Sequence, residues 1–238
     1  RFAPGGFAPK VVAQQGLIDL GAGELPPAQP ARLEYLQAGL DDSQWIEISG
    51  IVLSVSTNDV RHRLEVASCA GRFEGILATG IDAAAAFPTN LIGAGVRIQG
   101  IGQTLFNLKG QMTAFRLLVP RAADVVIETQ PLKDPFTCEV QPLNRLLAYS
   151  PNSPNPHQSR VRGTVTLAHP NGRFFIQENG NGLEVQTSQI GAFRRGDYVE
   201  AVGFPTPGEY GPLLERAVIR VLGHEGELTP MPTPVTIR

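Results

Sequence analysis

The chain has 238 residues with a formal net charge of −2, and 42 % of the residues are hydrophobic. This length and composition indicate two compact folded domains and exclude a disordered chain. A charge so close to neutral argues against general binding to polyanions. The 26 glycines and 20 prolines fall between short apolar runs, which favours an all-β protein with frequent turns.

The first 30 residues contain phrases that return near the end of the chain. "PGGFAPKV" from Pro4 corresponds to "PGEYGPLL" from Pro207, and "LGAGELPPAQP" from Leu20 corresponds to "LGHEGELTPMP" from Leu222. We therefore expect residues 1–30 to be the tail of a preceding module, and the chain to be a piece of a longer protein.

Within this tail, "KVVAQQGLIDL" from Lys10 predicts a strand. A strand left alone would expose an unpaired edge, so we expect it to pair with its own chain or with a neighbouring copy. The closely spaced prolines that follow cannot donate to a sheet and favour an extended linker.

Residues 31–130 are predicted to form a first barrel with a leading helical segment. "ARLEYLQAGL" predicts about two helical turns with leucine and tyrosine facing inward, which plug or cap the junction between modules. Strands are predicted in "WIEISGIVLSVS", "RLEVASCAGRFEG", "GAGVRIQG" and "QMTAFRLLVPRAADVVI". Trp45 opens the first strand and is expected in the core. The connector "GIDAAAAFP" predicts a short helix that Asp82 caps and that ends before Pro88.

Residues 131–238 are predicted to form a second barrel, again with a leading helical segment, "VQPLNRLLAYS", and a proline-rich tail. "SRVRGTVTLAH" predicts a strand with one buried face, and Asn171-Gly172 predicts a tight hairpin turn into "RFFIQE". "LEVQTS" is the third strand, "QIGAFRRGD" a connector of about one helical turn, and "DYVEAVGF" and "LLERAVIRVLG" the last two strands. Three strands in a meander, a crossover and two further strands is the order of the five-stranded Greek-key barrel called the OB-fold.

The strands of the two regions align on shared glycine, apolar and arginine positions. The aligned pairs include Gly50 with Gly163, Gly93 with Gly196, Gly100 with Gly203, Arg63 with Arg173 and Phe73 with Leu183. The sequence thus predicts an all-β chain of two tandem OB-like five-stranded Greek-key barrels with short connecting helices, preceded by an N-terminal strand fragment of another module.

The phrases "VRGTVTLAHPNGRFFIQENGNGLEVQ" and "RGDYVEAVGFPTPGEYGPLL" resemble OB-fold-like modules in the sensory regions of some bacterial membrane-bound histidine kinases. The resemblance covers residues 158–223 well, the central region loosely and the first 30 residues as a fragment. It implies a region outside the cytoplasm, ahead of a transmembrane segment and a kinase domain. The chain contains no kinase His box, ATP-binding motif or membrane span, so kinase activity is not expected of it.

OB-folds bind ligands across their second and third strands, and the outward residues of these strands are the candidate site. If Phe174 and Ile176 point inward, the outward residues of the second barrel are Arg173, Phe175 and Gln177, together with Glu184 and Gln186. An exposed aromatic ring beside an arginine is what stacking on a base or a sugar requires.

In the first barrel the outward residues of the second strand are predicted to be Arg63, Glu65 and Ala67. Glu65 takes the place of Phe175, so this face is expected to lack an aromatic platform and a net positive charge. A phosphate backbone would then meet little attraction there.

Catalytic and metal-binding motifs are missing from the sequence. Four histidines, His62, His157, His169 and His224, are not spaced as metal ligands and are expected to be solvated. No nucleophile motif or dinucleotide fingerprint is present, and we expect no enzyme, metal or cofactor in this chain. Cys69 and Cys138 form no metal or redox spacing and are expected to be unpaired thiols, with a disulfide as the alternative.

These features favour a non-catalytic, extracytoplasmic sensory region that binds an unknown small ligand or protein partner and neighbouring modules. Nucleic acid is an unlikely partner on the charge argument, but a nucleic-acid-binding OB protein is the main alternative. A carbohydrate-binding module of an extracellular protein is a further alternative, although only 7 % of the residues are aromatic.

Overall fold

The computed structural model describes residues 2–3, 10–13, 16, 18–21, 23–31, 35–36, 42–58, 61–68, 71–78, 90–109, 111–146, 158–189, 193–208, 211–224 and 226. The chain divides into two compact units, Arg1–Pro131 and Leu132–Arg238. In the described parts of both units, regular structure is almost entirely β-strand, as the sequence predicts.

The described part of the first unit has nine strands. They are β1 (Phe2–Ala3), β2 (Lys10–Val11), β3 (Gln29–Pro30), β4 (Trp45–Asn58), β5 (Arg61–Ser68), β6 (Gly71–Ala78), β7 (Gly95–Phe106), β8 (Met112–Val119) and β9 (Val125–Thr129). A single turn of 3-10 helix, Ala122–Asp124, separates the last two strands.

Five of these strands close into a barrel, here called barrel 1. β4 pairs antiparallel with β5 and with β7, and β5 pairs antiparallel with β6. β8 lies between β6 and β7, parallel to β6 and antiparallel to β7. This is the strand order of the OB-fold. β9 extends the ladder of β7, and β3 adds a short parallel pairing to β4.

In the described part of the strand predicted from Lys10 to Leu20, two residues pair with the same chain. β1 and β2 form a short antiparallel ladder, Phe2 with Val11 and Ala3 with Lys10. The other described residues of the predicted strand, among them Ile18 and Leu20, lie outside any strand and are exposed. The predicted strand is therefore confirmed at its first two residues and is wrong over the rest of its described part.

The second unit contains a closed five-stranded barrel, here called barrel 2. Its strands are β10 (Ser159–Ala168), β11 (Arg173–Glu178), β12 (Asn181–Gln186), β13 (Asp197–Pro207) and β14 (Pro212–His224), in the spatial order β10-β11-β12-β14-β13. β12 and β14 run parallel, and the other pairs are antiparallel. Two turns of 3-10 helix, Pro135–Thr137 and Leu143–Arg145, precede the barrel.

Each barrel encloses its own apolar core. The alternation of apolar and polar residues along the strands places Val52, Val66 and Leu117 in the first core and Val165, Ile176 and Leu214 in the second. The segments that lead into the barrels contribute to these cores, because Leu36 is buried in the first and Leu146 in the second. The inward orientation predicted for the leucines of these segments is confirmed at Leu36 and Leu146, whereas that predicted for tyrosine is wrong at Tyr35, which is exposed.

Aligned glycines occupy equivalent places in the two barrels because the backbone of a neighbouring strand lies against them. A Cβ atom on Gly50 would lie 2.5 Å from the carbonyl oxygen of Ala67, and one on Gly163 would lie 3.0 Å from that of Gln177. Gly93 and Gly196 both have positive φ, 85° and 90°, and each donates its N–H to a strand residue, Val52 or Val165. A side chain at any of these sites would collide or strain the backbone.

Some local predictions differ from the structure. The segment "VQPLNRLLAYS" forms one 3-10 turn in its described part instead of two α-helical turns, with prolines before it that restrict the chain. Trp45 opens β4 as predicted but is only half-buried. The last strand region of barrel 1 is split into β8 and β9, whereas barrel 2 has one continuous β14. The predicted helix at residues 82–87, most of "ARLEYLQAGL", part of "QIGAFRRGD", Cys69 and His157 lie outside the described residues.

Candidate ligand-binding faces

The outer surface of the second and third strands of each barrel, here called the hairpin face, carries the predicted site residues. In barrel 2, Phe174 and Ile176 are buried, so Arg173, Phe175 and Gln177 point outward from β11 as predicted. The ladder with β12 sets Arg173 opposite Gln186 and Phe175 opposite Glu184. The five predicted residues of this barrel therefore share one face.

Glu184 is at the centre of a hydrogen-bonded group on this face. Arg173 Nε donates to Glu184 Oε1 at 2.8 Å, and Gln186 Nε2 donates to the same oxygen at 3.0 Å. These bonds, that of Arg173 first, hold the pKa of Glu184 below its ordinary 4.5. The carboxylate is therefore charged at neutral pH and fixes the guanidinium of Arg173, which has four further N–H donors.

Phe175 lies half-buried beside this group. Its ring and that of His169 meet edge to face, with centroids 6.5 Å apart. The Thr166 hydroxyl donates to the carbonyl oxygen of Phe175 at 3.2 Å, which holds the β10–β11 hairpin next to the ring. A flat apolar surface with planar polar neighbours is suited to stacking on a base or a sugar ring.

A cavity of about 470 Å³ adjoins the hairpin face at the turn between β10 and β11. Phe174 and Phe193 line it and stack on each other, with ring centroids 5.5 Å apart. The lining also includes six polar or charged side chains, those of His169, Asn171, Arg173, Thr187, Ser188 and Gln189. No local sequence pattern reveals this cavity, because Phe193 and Gln189 belong to a connector without a recognisable motif.

The hairpin face of barrel 1 is more basic than the sequence analysis predicts. Arg63 pairs with Glu74 at 3.1 Å, and Arg72 pairs with Glu65 at 3.6 Å. Arg61 is a third arginine on the face, exposed on β5, and Arg116 of β8 lies beside the face as the cross-strand neighbour of Glu74. Three arginines against two glutamates give the face a formal excess of one positive charge, and Arg116 beside it adds a second.

The prediction that this face has no net positive charge is therefore wrong. The prediction rested on Arg63, Glu65 and Ala67 of β5, without the residues that β6 and β8 place beside them. The ion pair itself is a repeated feature, because Arg63–Glu74 and Arg173–Glu184 occupy aligned positions in the two barrels.

A second charged group lies on β10, β13 and β14, and the sequence analysis missed it. Glu200 is fully buried and accepts hydrogen bonds from Arg160, Arg162 and Arg220. Burial acts to raise the pKa of Glu200, but the three arginine hydrogen bonds together outweigh it and the pKa lies below its ordinary 4.5. The three arginines lie 20 to 40 positions from Glu200 in the chain, so no local motif reveals the group.

The remaining titratable candidates in the described part of the chain make local contacts. His224 Nδ1 lies 2.8 Å from Asp197 Oδ1, and His62 Nδ1 lies 2.9 Å from Thr57 Oγ1. No group of three or more His, Cys, Asp or Glu among the described residues could hold a metal ion. Cys138 is a free thiol whose pKa burial raises. No helix in the described residues is long and apolar enough to cross a membrane.

No protein-family model matches the sequence, and no curated protein matches it. Solved structures similar to this chain include a replication protein A heterotrimer bound to single-stranded DNA, at 11 % identity, TM-score 0.30, 74 % of this chain and 48 % of that chain. A murine DNA-binding protein bound to double-stranded DNA is similar at 11 % identity, TM-score 0.28, 77 % of this chain and 99 % of that chain. The aspartyl-tRNA synthetase of Entamoeba histolytica is similar at 8 % identity, TM-score 0.32, 84 % of this chain and 58 % of that chain. At these TM-scores the similarities carry no argument about what this chain binds.

Proposed function

We propose that this chain is a non-catalytic binding protein and that each of its two barrels binds single-stranded nucleic acid on its hairpin face. The observation that carries this proposal is the excess of arginine over glutamate on the hairpin face of barrel 1. Arginines on a strand surface neutralise phosphates and release counterions, which supplies most of the affinity for a nucleic acid backbone. The proposal reverses the expectation from overall charge, because the positive charge is local.

The two faces supply different parts of the interaction. Barrel 1 offers charge without an aromatic ring, since Glu65 takes the aligned position of Phe175. Barrel 2 offers the Phe175 ring, with Arg173 held in place by Glu184. A base stacked on one aromatic ring contributes about 1–3 kcal/mol, so a single ring is enough to be measured.

The experiment is binding of a short labelled oligodeoxythymidine, followed by fluorescence anisotropy at several salt concentrations. Arg63→Gln and Arg72→Gln are expected to weaken binding and to reduce the slope of affinity against salt, by about one phosphate contact each. Phe175→Ala is expected to weaken binding with an unchanged slope. Arg97→Gln is the matched control, because it removes the same charge from β7, outside the hairpin face.

Binding that does not change with salt, or that Arg97→Gln weakens as much as Arg63→Gln, would contradict this function. The outcome then favours the second candidate, a sensory region outside the cytoplasm. The resemblance of barrel 2 to sensory modules supports it, and so does the charged Glu184 beside Phe175, which repels phosphate. Such a region would bind an uncharged polar ligand. Arg173, Glu184 and Gln186, which share one face of barrel 2, are suited to the hydroxyl groups of a sugar.

A further inference from the structure

The Glu200 group forms one lateral row across three strands of barrel 2. Arg162 on β10 is the cross-strand neighbour of Glu200 on β13, and Glu200 is the neighbour of Arg220 on β14. Arg162 Nε donates to Oε1 of the carboxylate at 2.8 Å, and Arg220 Nε donates to Oε2 at 2.5 Å. The two arginines thus flank the carboxylate from opposite sides, with strands about 4.8 Å apart on each side.

Arg160 completes the group and is satisfied within the fold. Its Nε donates to Glu200 Oε1 at 2.7 Å, and its Nη1 donates to the carbonyl oxygen of Cys138 at 2.9 Å. Its side chain is 14 % exposed, whereas those of Arg162 and Arg220 are 38 % and 46 % exposed. Arg160 is therefore a structural member, and the other two present guanidinium edges to solvent.

The charges in this group do not balance. Three guanidinium groups share one carboxylate, which leaves a formal excess of two positive charges. Glu178 is a further negative group that acts on Arg162, and it does so through space. Arginines held this close together repel one another unless an anion offsets their charge.

The exposed guanidinium groups are held in position before any ligand arrives. Glu200 fixes both through their Nε atoms, and the ring of Phe136 lies 4.3 Å from the Arg220 guanidinium carbon. The segment that carries Phe136 is tied to β10, because Gln141 N–H donates to the carbonyl oxygen of Arg160 at 2.7 Å. Fixed donors lose little conformational entropy when they bind.

We propose that Arg162 and Arg220 form an anion site on barrel 2 that binds a phosphate group through the guanidinium N–H donors left over from Glu200. Planar guanidinium forks match the oxygen geometry of phosphate, and two of them offset the charge of a phosphate dianion. The phosphate is either a free ion or part of a nucleic acid strand. The site lies on β10 and β14, so it is separate from the hairpin face and does not depend on the proposed function.

The test is titration of the whole chain with inorganic phosphate, followed by NMR of the arginine Nε–Hε signals, against sodium chloride at equal ionic strength. We expect saturable shifts of Arg162 and Arg220 with phosphate and not with chloride. Arg162→Gln and Arg220→Gln are each expected to weaken phosphate binding about tenfold or more, since each removes charge-assisted hydrogen bonds. Arg97→Gln, at the position in barrel 1 that aligns with Glu200, is the control, with unchanged phosphate affinity.

A second titration with a short oligodeoxythymidine distinguishes the sources of phosphate. Shifts of the same two arginines at lower concentration than inorganic phosphate assign the site to a nucleic acid strand, and shifts with inorganic phosphate alone assign it to the free ion. Equal shifts with chloride, or unchanged phosphate affinity in Arg162→Gln and Arg220→Gln, would overturn the site. If a variant fails to fold, the wild-type arginine signals decide the question without it. Loss of the site leaves the hairpin-face variants free to test the proposed function.

Discussion

The two barrels carry the same ion pair on their first and fourth strands with the charges exchanged. In barrel 1 the pair is Glu47 on β4 with Arg97 on β7, at 2.8 Å. In barrel 2 it is Arg160 on β10 with Glu200 on β13, at 2.6 Å. Each residue stands three positions before an aligned glycine. The two barrels thus place an ion pair at the same position with opposite polarity.

What differs between the barrels is how deeply the pair is covered. The Arg97 side chain is 35 % exposed and shares its charge with Glu128, whereas Glu200 is fully buried among three arginines. The residues four positions after Arg97 and Glu200 show the same contrast. Ile101 is 41 % exposed in barrel 1, and Phe204 is 3 % exposed in barrel 2. Burial, more than the pair itself, should decide the energetics of the two groups.

The largest expected effect follows from removing the central charge of each group. Glu200→Gln leaves three arginines around a neutral amide, and breaking a buried ionic group of this kind costs about 3–5 kcal/mol. Arg97→Gln removes a half-exposed charge and should cost about 0–1 kcal/mol. Urea unfolding measures both, with the fluorescence of the single tryptophan, Trp45, reporting barrel 1 and amide NMR signals reporting barrel 2.

If Glu200→Gln costs no more unfolding free energy than Arg97→Gln, burial does not set the energetics of the two groups. We expect Glu200→Gln to lower the urea midpoint reported by the barrel 2 amide signals and to leave the midpoint reported by Trp45 unchanged. That second result would also show that the barrels unfold separately.

How far the sequence predicts this structure depends on whether a feature is local. The hairpin at Asn171-Gly172, the alternation along β11 and the aligned glycines are local patterns, and the structure confirms that each is present. The predicted two-residue turn is wrong in its length, because the hairpin closes between His169 and Arg173 over three residues and of the Asn171-Gly172 pair Gly172 alone has positive φ. The local patterns were sufficient to predict the barrels and to place Arg173 and Phe175 on an outer face. The role of those residues in binding stays a prediction.

Features built from distant strands could not be predicted. Glu200 meets Arg160 from 40 positions away, and Arg116 lies beside the hairpin face of barrel 1 only because β8 pairs with β6. Neither pairing leaves a spacing in the sequence. The charge of the first hairpin face was underestimated for this reason, since only one of its strands was considered.

The next largest effect concerns the glycines that the barrels share. A Cβ atom on Gly100 or on Gly203 would lie 2.6 Å from a backbone carbonyl oxygen, that of Leu118 or of Glu215. Gly100→Ala and Gly203→Ala should each cost about 1–3 kcal/mol in their own barrel, because the neighbouring strand must move. Gly223→Ala is the control, with nothing within 4 Å of its added methyl group. Equal stability of Gly203→Ala and Gly223→Ala would show that this close approach is not required.

Acid should separate the barrels by a smaller amount. Barrel 2 has three carboxylates with lowered pKa, Glu184, Asp197 and Glu200, and for barrel 1 a lowered pKa is resolved at Glu47. A lowered pKa in the folded state contributes stability above the unfolded value, 4.5 for Glu and 3.8 for Asp, and this contribution is lost as pH falls through the folded pKa. As the pH falls from about 5 to below these unfolded values, barrel 2 should therefore lose more stability than barrel 1. Urea unfolding at a series of pH values measures this, and parallel losses in both barrels would contradict it.

The smallest expected effect belongs to the ion pair that the barrels share without exchange of charge. Arg63→Gln and Arg173→Gln break pairs whose arginines are about half exposed, 47 % and 49 %, so each should cost about 0.2–1 kcal/mol. Stability changes this small let any larger loss of ligand affinity in these variants be interpreted as a lost contact with the ligand. If Arg173→Gln instead destabilised barrel 2 by about 2 kcal/mol or more, well beyond a surface pair, the Glu184 group would be structural. The hairpin face of barrel 2 would then owe its arrangement to folding, and Phe175 alone would remain to test it as a binding surface.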